Sequence, residues 1–567
     1  MKRPPLTLPS VGLALCLFAF FGVFLVYPSG LMLKEAFLLD GHVSTRNFEL
    51  LFQSPLHLES LRNSFLIALL TTALATAAAL PLAWITSRFS FRGKTLFGAL
   101  LLMPLILPPF VGAIGLKQLF ARFGSINLLL VQLGLQSPHH PIDWLGGGGF
   151  AGMVLLQTFS LCPILYLNLT AALGGIDPSL HEAATNLGAD GWRRFRTITL
   201  PLIMPGYFAG AILVFIAAFT DLGTPLVFGF SRVVPVQIFD AVSDLRANPM
   251  GYALVVLVLL LTLLLFTLGK LAWTGRRYEM FSRGHSGAAE TAASPAQTLW
   301  IWLLAGGWGA IAVLPHVGVL LQSFSNHWVM TVAPDQVTTE HYRALWAHDL
   351  TASSVRNSLL YSGCSATLDL FLGVAIAWLL TRRRVPFSGL LDSLAMLPLA
   401  LPGLILAFGY VAGFDGPVAW LNPRTNPVFL LIISYSVRRL PYIVRSACAG
   451  FEQTSLTLEE AAANLGAGPM RTLRTITLPL IFAHLIAGTV LTFAFAMLEV
   501  SDGLILAMKD NFFPITKMIY SLMGRIDANA PSIASALGIL GMAILGASLL
   551  IANRLMGKKL GQLFRTN

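Results

Sequence analysis

The chain has 567 residues, of which 56% are hydrophobic and only 11% are charged. Soluble globular proteins carry about 25% charged residues, so this composition excludes an ordinary soluble protein. The formal net charge is +11, and we attribute it to membrane topology because the basic residues flank apolar segments. We therefore expect an all-α polytopic membrane protein that contacts the lipid bilayer and binds no nucleic acid.

Apolar runs long enough to cross a bilayer recur along the chain. A spanning helix needs roughly 20 apolar residues to cross about 30 Å of hydrocarbon. The twelve predicted spans are 11–33, 65–85, 96–116, 149–172, 206–230, 251–271, 299–322, 358–380, 391–413, 427–449, 485–508 and 531–553. The first run follows Lys2 and Arg3, as a signal peptide would. It is too long for one and lacks a small-residue cleavage site, so we predict a retained helix.

Basic residues predict the orientation of these spans, because they favour the cytoplasmic side of a membrane. They cluster in alternate connections: Arg88, Arg92 and Lys94; Arg193, Arg194 and Arg196; Arg276 and Arg277; Arg382, Arg383 and Arg384; Arg471 and Arg474; Lys558 and Lys559. We therefore predict a multi-pass membrane protein with both termini in the cytoplasm.

The chain repeats itself. Residues 182–210 align without gaps with residues 460–488 at a shift of 278, and an earlier stretch repeats at a shift of 294. The matched positions of that stretch are Asn63, Trp84, Pro104, Leu107, Pro108 and Gly115 with Asn357, Trp378, Pro398, Leu401, Pro402 and Gly409. The change of shift places about 16 extra residues in the first half, which we assign to the outside loop around the glycines at 146–149.

Six spans per half place both repeats in the membrane in the same direction, so two parallel six-helix halves are expected. We predict a first repeat at 1–275, a cytoplasmic linker at 276–298 and a second repeat at 299–567. Small and polar residues dominate 282–297, which is typical of a flexible connection.

Each half carries a distinctive cytoplasmic loop before its fifth span. A Glu-Ala-Ala is followed by a Gly four residues after the last Ala, then by a basic stretch and Leu-Pro. The pattern predicts a helix, a bend and a second helix, with the Glu near the start of the first helix and the Gly at the bend. Two ungapped copies argue against an ordinary basic connection.

Both loops resemble the EAA loop of binding-protein-dependent ABC importer permeases. The resemblance implies the type I ABC importer permease fold and alternating access. It also implies coupling helices that fit grooves in the ATPases. The residues assigned to these helices are Glu182, Ala183, Ala184, Gly188, Glu460, Ala461, Ala462 and Gly466. The resemblance implies two copies of an ATPase subunit on the cytoplasmic side, which use ATP and Mg, and a periplasmic substrate-binding protein. This chain is expected to be a transport subunit rather than an enzyme, with no cofactor or metal of its own.

Charged residues inside spans are costly and therefore indicate either the transport pathway or buried pairs. Asp221 aligns with Glu499, each beyond the middle of its predicted helix, and Asp502 follows. Arg438 and Arg439 occur only in the second half. One interpretation is structural, with an arginine paired to Asp369 or Glu499, and the other is direct contact with the substrate. An acidic substrate would favour the arginines, and a metal cation would favour the acids.

The stretches at 221–225 and 498–502 resemble those of ferric-iron permeases, which makes ferric iron the first expectation for the substrate. Permeases of this branch for phosphorylated sugars, phosphonates, thiamine and polyamines are alternatives. A secondary transporter driven by an ion gradient also has two parallel six-helix halves, but the paired EAA loops argue against it. Dispersed His and Cys residues argue against a membrane enzyme.

Overall fold

The computed structural model describes residues 8–39, 41–105, 108–242, 250–274, 290–347, 349–383, 385–416 and 418–556. The helices of the first half are α1 (Leu8–Phe21), α2 (Tyr27–Ala36), α3 (Arg46–Gln53), α4 (Pro55–Arg88), α5 (Lys94–Leu102), α6 (Pro109–Phe120), α7 (Ser125–Gln132), α8 (Phe150–Gly174), α9 (Pro178–Asn186), α10 (Gly191–Arg194), α11 (Leu200–Phe219), α12 (Gly223–Phe228), α13 (Val234–Ala241) and α14 (Met250–Thr274).

The second half has the same order of helices, except that its described residues contain no counterpart of α7. Its helices are α15 (Pro295–Ile301), α16 (Gly307–Phe324), α17 (Glu340–Ala347), α18 (Asp349–Arg382), α19 (Ser388–Met396), α20 (Gly403–Gly413), α21 (Val428–Gln453), α22 (Leu456–Asn464), α23 (Pro469–Thr472), α24 (Leu478–Met497), α25 (Ser501–Leu506), α26 (Ile515–Met523) and α27 (Ala530–Met556). Four two-residue strands complete the described structure: β1 (Leu38–Leu39), β2 (His42–Val43), β3 (Phe89–Ser90) and β4 (Thr291–Ala292).

The predicted spans correspond closely to these helices. Within the described residues, ten helices are long and apolar enough to cross a membrane, and α19 with α20 forms a further span bent by 104°. The predicted tenth span is α21, whose 26 residues reach about 39 Å. It is not among the ten, since Arg438, Arg439 and Arg445 lie within it. The predicted all-α polytopic fold is confirmed.

Four predicted spans are interrupted, and this is the main correction to the sequence analysis. The predicted 96–116 is divided between α5 and α6 ahead of Pro109, and 391–413 is divided between α19 and α20. The helices at the predicted spans 206–230 and 485–508 begin earlier than predicted and end at Phe219 and Met497. The short helices α12 and α25 follow separately. Pro108 and Pro402, which directly precede α6 and α20, favour the first two breaks. The breaks after α11 and α24 contain the polar residues Thr220, Asp221 and Glu499 instead.

The duplication extends to the detail of the backbone. Helices α11 and α24 have identical bounds after the shift of 278, and α4 and α18 have identical bounds after the shift of 294. Each half also has a π-helical turn in its first span, at Gly22–Val26 and Trp302–Gly306. The extra residues of the first half form α7 and the following loop, where Gly146 to Gly149 all have positive φ angles. The predicted position of the insertion is therefore confirmed.

The two halves exchange their first spans. Helix α2 packs against α20, where Tyr410 Oη donates a 2.7 Å hydrogen bond to the carbonyl of Phe24. In the related contact α16 packs against α6, and a Cβ at Gly115 would overlap the carbonyl of Pro315. Glycine is therefore required for this close approach. Buried apolar side chains of both halves form one large core, and a second, smaller core joins the first half to the start of the second.

The described structure includes the last part of the predicted linker. Linker residues 276–289 lie outside the described part of the chain. Strand β4 pairs in parallel with β3, and Lys94 forms a 2.8 Å ion pair with Glu290. Helix α15 begins at Pro295 behind a capping box formed by Ser294 and Gln297. The last part of the linker is therefore held against the first half of the protein.

Candidate coupling loops and transport cavity

The two EAA loops have the predicted helix, bend and helix, formed by α9 with α10 and by α22 with α23. Glu182 and Glu460 lie in the middle of the first helix rather than near its start. The helices begin four residues earlier, behind the N-caps Asp177 and Ser455. Asp177 accepts a 2.9 Å hydrogen bond from the Ser179 backbone N–H, which lowers its pKa. The carboxylate at the helix start is therefore Asp177.

The bend in each loop depends on glycine. Gly188 and Gly466 have φ angles of +78° and +83°, in the left-handed region. A Cβ at either position would meet no atom within 4 Å, so the backbone conformation is the reason for glycine.

The surfaces of the two loops match. Ala184 and Ala462 are buried, whereas Ala183, Ala461 and the two glutamates are exposed. Leu187 and Leu465 expose 87% and 89% of their surface. Each loop therefore presents an apolar side chain beside its bend, as a docking surface for another protein does.

The two loops are anchored differently. In the second half Arg382, at the end of α18, forms a 2.9 Å ion pair with Glu459 and donates to the carbonyls of Phe451 and Thr454. In the first half Arg88 occupies the position of Arg382, and His181 that of Glu459. The second loop is thus tied to the membrane helix by a carboxylate that the first loop lacks.

A cavity of about 210 Å³ lies where the two halves meet. Its lining comes from both repeats and consists of Pro109, Gln157, Leu161, Ala217, Thr220, Asp221, Gly403, Arg438, Arg439, Leu498, Glu499, Val500 and Ser501. All of the predicted pathway residues except Asp502 line it, and Asp502 lies directly behind. The structure therefore brings the predicted acids of the two halves to one central place.

The cavity forms where helices are interrupted. Pro109 and Gly403 begin the second parts of the two broken third spans, and Asp221 and Glu499 lie in the breaks after α11 and α24. Such breaks leave backbone groups free to face a polar cavity, which is how binding sites of many transporters are built. The predicted position of the two acids inside continuous helices is wrong, because each helix ends before them.

Charged side chains in the cavity are largely paired. Arg438 lies 2.5 Å from one oxygen of Glu499, and Arg439 contacts the other. Asp502 lies 3.5 Å from Arg438 and accepts a 3.0 Å hydrogen bond from Ser434. The arginines therefore pair with Glu499, as one interpretation of the sequence stated, and they also line the cavity.

Asp221 and Asp369 are not part of these pairs. Asp221 accepts hydrogen bonds of 3.1 Å from the Gln157 side chain and the Gly223 backbone, and no cation among the described residues lies within ion-pair distance. Asp369 accepts a hydrogen bond from Ser436 rather than pairing with an arginine. The proposed Asp369 pair is therefore absent, and Asp221 is the acid that faces the cavity without an ion-pair partner in the described chain.

Gln157 and Gly403 are among the cavity residues that the sequence analysis did not identify. Gln157 aligns with Tyr435 at the shift of 278, so the repeat comparison contains no signal for it. Gly403 follows the repeated Leu-Pro, and a Cβ there would overlap the guanidinium of Arg438. Its place after a repeated proline was the available signal. Within the described residues, no group of three or more His, Cys, Asp or Glu side chains can hold a metal ion.

Comparison with known proteins identifies the class. The model of the family "binding-protein-dependent transport system inner membrane component" matches residues 75–272 and again residues 370–562. The chain belongs to this family, and it carries two copies of the domain. It is therefore a multi-pass inner membrane permease of the ABC importer class.

Similar proteins include permeases for different substrates. The chain is 27% identical over 504 residues to a ferric transport system permease of Actinobacillus pleuropneumoniae, covering 88% of this chain and 70% of that protein. An Fe(3+)-transport system permease of Haemophilus influenzae is 25% identical over 516 residues, covering 90% and 91%. A molybdenum transport system permease of Escherichia coli is 32% identical over 190 residues, covering 31% and 78%.

Proposed function

We propose that this chain is the permease of a ferric-iron importer, which receives its substrate from a periplasmic binding protein and is driven by two ATPase subunits. The similarity to ferric permeases over most of the chain supports the substrate. The matched loops around Gly188 and Gly466, each with an exposed leucine, support one ATPase at each half. This pair of loops is the observation that carries the proposal. The proposal includes both termini in the cytoplasm and ATP hydrolysis by the partner subunits.

In the proposed mechanism, closure of the ATPases moves α9 and α22 together, and the helices packed behind them transmit the movement to the cavity. The breaks before Asp221 and Glu499 lie at the ends of α11 and α24, which follow the two loops directly along the chain. A displacement of a loop therefore has a short covalent path to the cavity. Alternating access results if this displacement opens the cavity to one side and closes it to the other.

Asp221 is the proposed contact for the cation, because its charge has no ion-pair partner among the described residues. We expect Asp221→Asn to reduce uptake about tenfold, since a charge-assisted contact is worth roughly 1.5–3 kcal/mol. The melting temperature should change little, because the amide keeps the size of the side chain. Uptake per amount of permease in the membrane and thermal unfolding of the purified protein measure the two effects.

The control for this variant is Asp143→Asn, which removes an exposed acid that is 3.6 Å from Arg122 in the loop before α8. It should transport as the wild type does. Normal uptake by Asp221→Asn at normal abundance contradicts the proposed contact, and a parallel loss of uptake and abundance assigns Asp221 a structural role.

An anionic substrate such as a phosphorylated sugar or a phosphonate is the second candidate. Arg438 and Arg439 line the cavity, and guanidinium groups bind phosphate oxygens well. Both already contact Glu499, so an anion would have to compete with a buried carboxylate. This competition favours the cation.

Reconstitution of the permease with its ATPase and binding protein in liposomes tests the proposed function. We expect ATP-dependent uptake of ferric iron that vanadate inhibits. Uptake driven by an ion gradient without the ATPase contradicts the importer mechanism. ATP-dependent uptake of a phosphorylated sugar or phosphonate, with ferric iron excluded, contradicts only the substrate.

A further inference from the structure

The first coupling loop contains a basic cavity. This cavity of about 250 Å³ lies between the end of α4 and the helices α9 and α10. Arg88, His181 and Arg194 contribute its basic groups, Thr199 contributes a hydroxyl, and Thr291 of the linker strand closes one side. It is separate from the central cavity.

The basic groups lack carboxylate partners in the described chain. The Arg88 guanidinium lies over the Trp84 ring at 5.3 Å, and Arg194 donates a 2.6 Å hydrogen bond to Thr185. Neither has an acid within ion-pair distance among the described residues, and the described chain provides no hydrogen bond to the His181 ring. Glu182 is the one acid of the lining and remains exposed.

The second half shows what is missing. There Glu459 pairs with Arg382 and accepts a 3.2 Å hydrogen bond from Thr477. Arg88 and Thr199 of the first half correspond to Arg382 and Thr477, while His181 replaces the glutamate. The position of Arg194 is held by a threonine in the second half. The first half therefore keeps the groups that bind a carboxylate, adds an arginine and removes the carboxylate itself.

We propose that this cavity binds a small oxyanion, a phosphate or a carboxylate, which replaces the carboxylate that Glu459 provides in the second loop. The bound anion fastens α9 to the end of α4 and so makes the first coupling loop as firmly anchored as the second. The anion comes either from solution or from an acidic side chain of the docked ATPase. In the first case the loop responds to the anion concentration in the cytoplasm.

The pH dependence follows from the surroundings of His181. Burial and the positive charges of Arg194 and Arg88 lower its pKa below the usual value, so the ring is neutral at pH 7 in the empty cavity. Arg88 of α4 and Arg194 of α10 line the cavity with His181, and Glu182 is the acid of the lining. An anion raises this pKa and binds more tightly to the protonated ring, so its affinity increases as the pH falls.

The test uses the full-length permease in lipid nanodiscs, titrated with inorganic phosphate at constant ionic strength, with sulfate for the pH series. We expect a saturable rise in melting temperature that chloride does not produce. Arg88→Gln should weaken binding about tenfold, since a hydrogen bond to a charged group is worth roughly 1.5–3 kcal/mol. His181→Glu should abolish the dependence of the melting temperature on phosphate, because the new side chain provides the carboxylate that Glu459 provides in the second loop.

The control is Arg193→Gln, which removes an exposed arginine of α10 that does not line the cavity. Titrations of the permease with ATPase bound distinguish the sources. A phosphate response that persists with ATPase bound assigns the anion to solution. If bound ATPase removes the phosphate response and Arg88→Gln binds the ATPase more weakly, the anion is an acidic side chain of the ATPase. The proposal is overturned if phosphate does not stabilise the wild type and Arg88→Gln binds the ATPase with unchanged affinity. It is also overturned if Arg193→Gln weakens phosphate binding as much as Arg88→Gln does.

Discussion

Glu499→Gln is expected to destabilise the protein strongly. The carboxylate of Glu499 is only 4% exposed and contacts both Arg438 and Arg439. Its removal leaves two guanidinium groups, which are only 17% and 14% exposed, with Asp502, 3.5 Å from Arg438, as the remaining acid of the cluster. Removing one partner of a buried pair costs about 3–5 kcal/mol, so we expect a large fall in melting temperature and in membrane abundance.

Thermal unfolding of the purified protein and its amount in the membrane measure this effect. Glu452→Gln is the matched control, because it removes an exposed acid near the end of the same helix that carries the arginines. It should leave both quantities unchanged. A Glu499→Gln protein that is stable and abundant but does not transport contradicts the structural role and places Glu499 in direct contact with substrate.

The duplicated architecture could be predicted because its signals are local and occur twice. Long apolar runs locate the spans, and the ungapped match of 182–210 with 460–488 locates the coupling loops. The helix, bend and helix follow from glycine at a position that needs a positive φ angle, as Gly188 and Gly466 show. These features depend on residues close together in sequence, so they can be found without tertiary contacts.

The helix breaks could not be located in the same way. Hydropathy averages over about 20 residues, so a polar interruption such as that at Asp221 is absorbed into one apolar run. The helix ends at Phe219, ahead of both Asp221 and Gly223. Asp221 binds Gln157, which lies 64 residues away, and contacts of this kind are not visible in a local pattern.

Charge pairing was only partly predictable for the same reason. The sequence left Asp369 and Glu499 as equal partners for the arginines. In the structure the arginines pair with Glu499, because Asp369 contacts Ser436 instead. The replacement of Glu459 by His181 lies one residue before the aligned stretch of 182–210 with 460–488. Its meaning depends on Arg88 and Arg382, which align at a different shift.

Gly466→Val is expected to uncouple ATP hydrolysis from transport at the second loop. The φ angle of Gly466 is +83°, a conformation that costs a residue with a Cβ roughly 1–2 kcal/mol and is rarer still for a β-branched side chain. Because the exposed Leu465 precedes the bend, a changed turn redirects the docking surface. A free-energy cost of this size changes an equilibrium between two conformations by a factor of about 5–30, so uptake should fall about tenfold. Uptake per amount of permease, together with the affinity for the ATPase, measures it.

Two control variants separate the backbone effect from the effect of added bulk. Gly466→Asn should retain most of the activity, because asparagine tolerates the left-handed region. Gly468→Val adds the same side chain two residues later, at a φ angle of −68°, and also meets no atom within 4 Å. It should transport normally. If both valine variants fail equally, the ATPase is sensitive to bulk on this surface, and the bend at Gly466 is not the cause. If Gly466→Val alone fails, the left-handed turn is what positions the coupling helix.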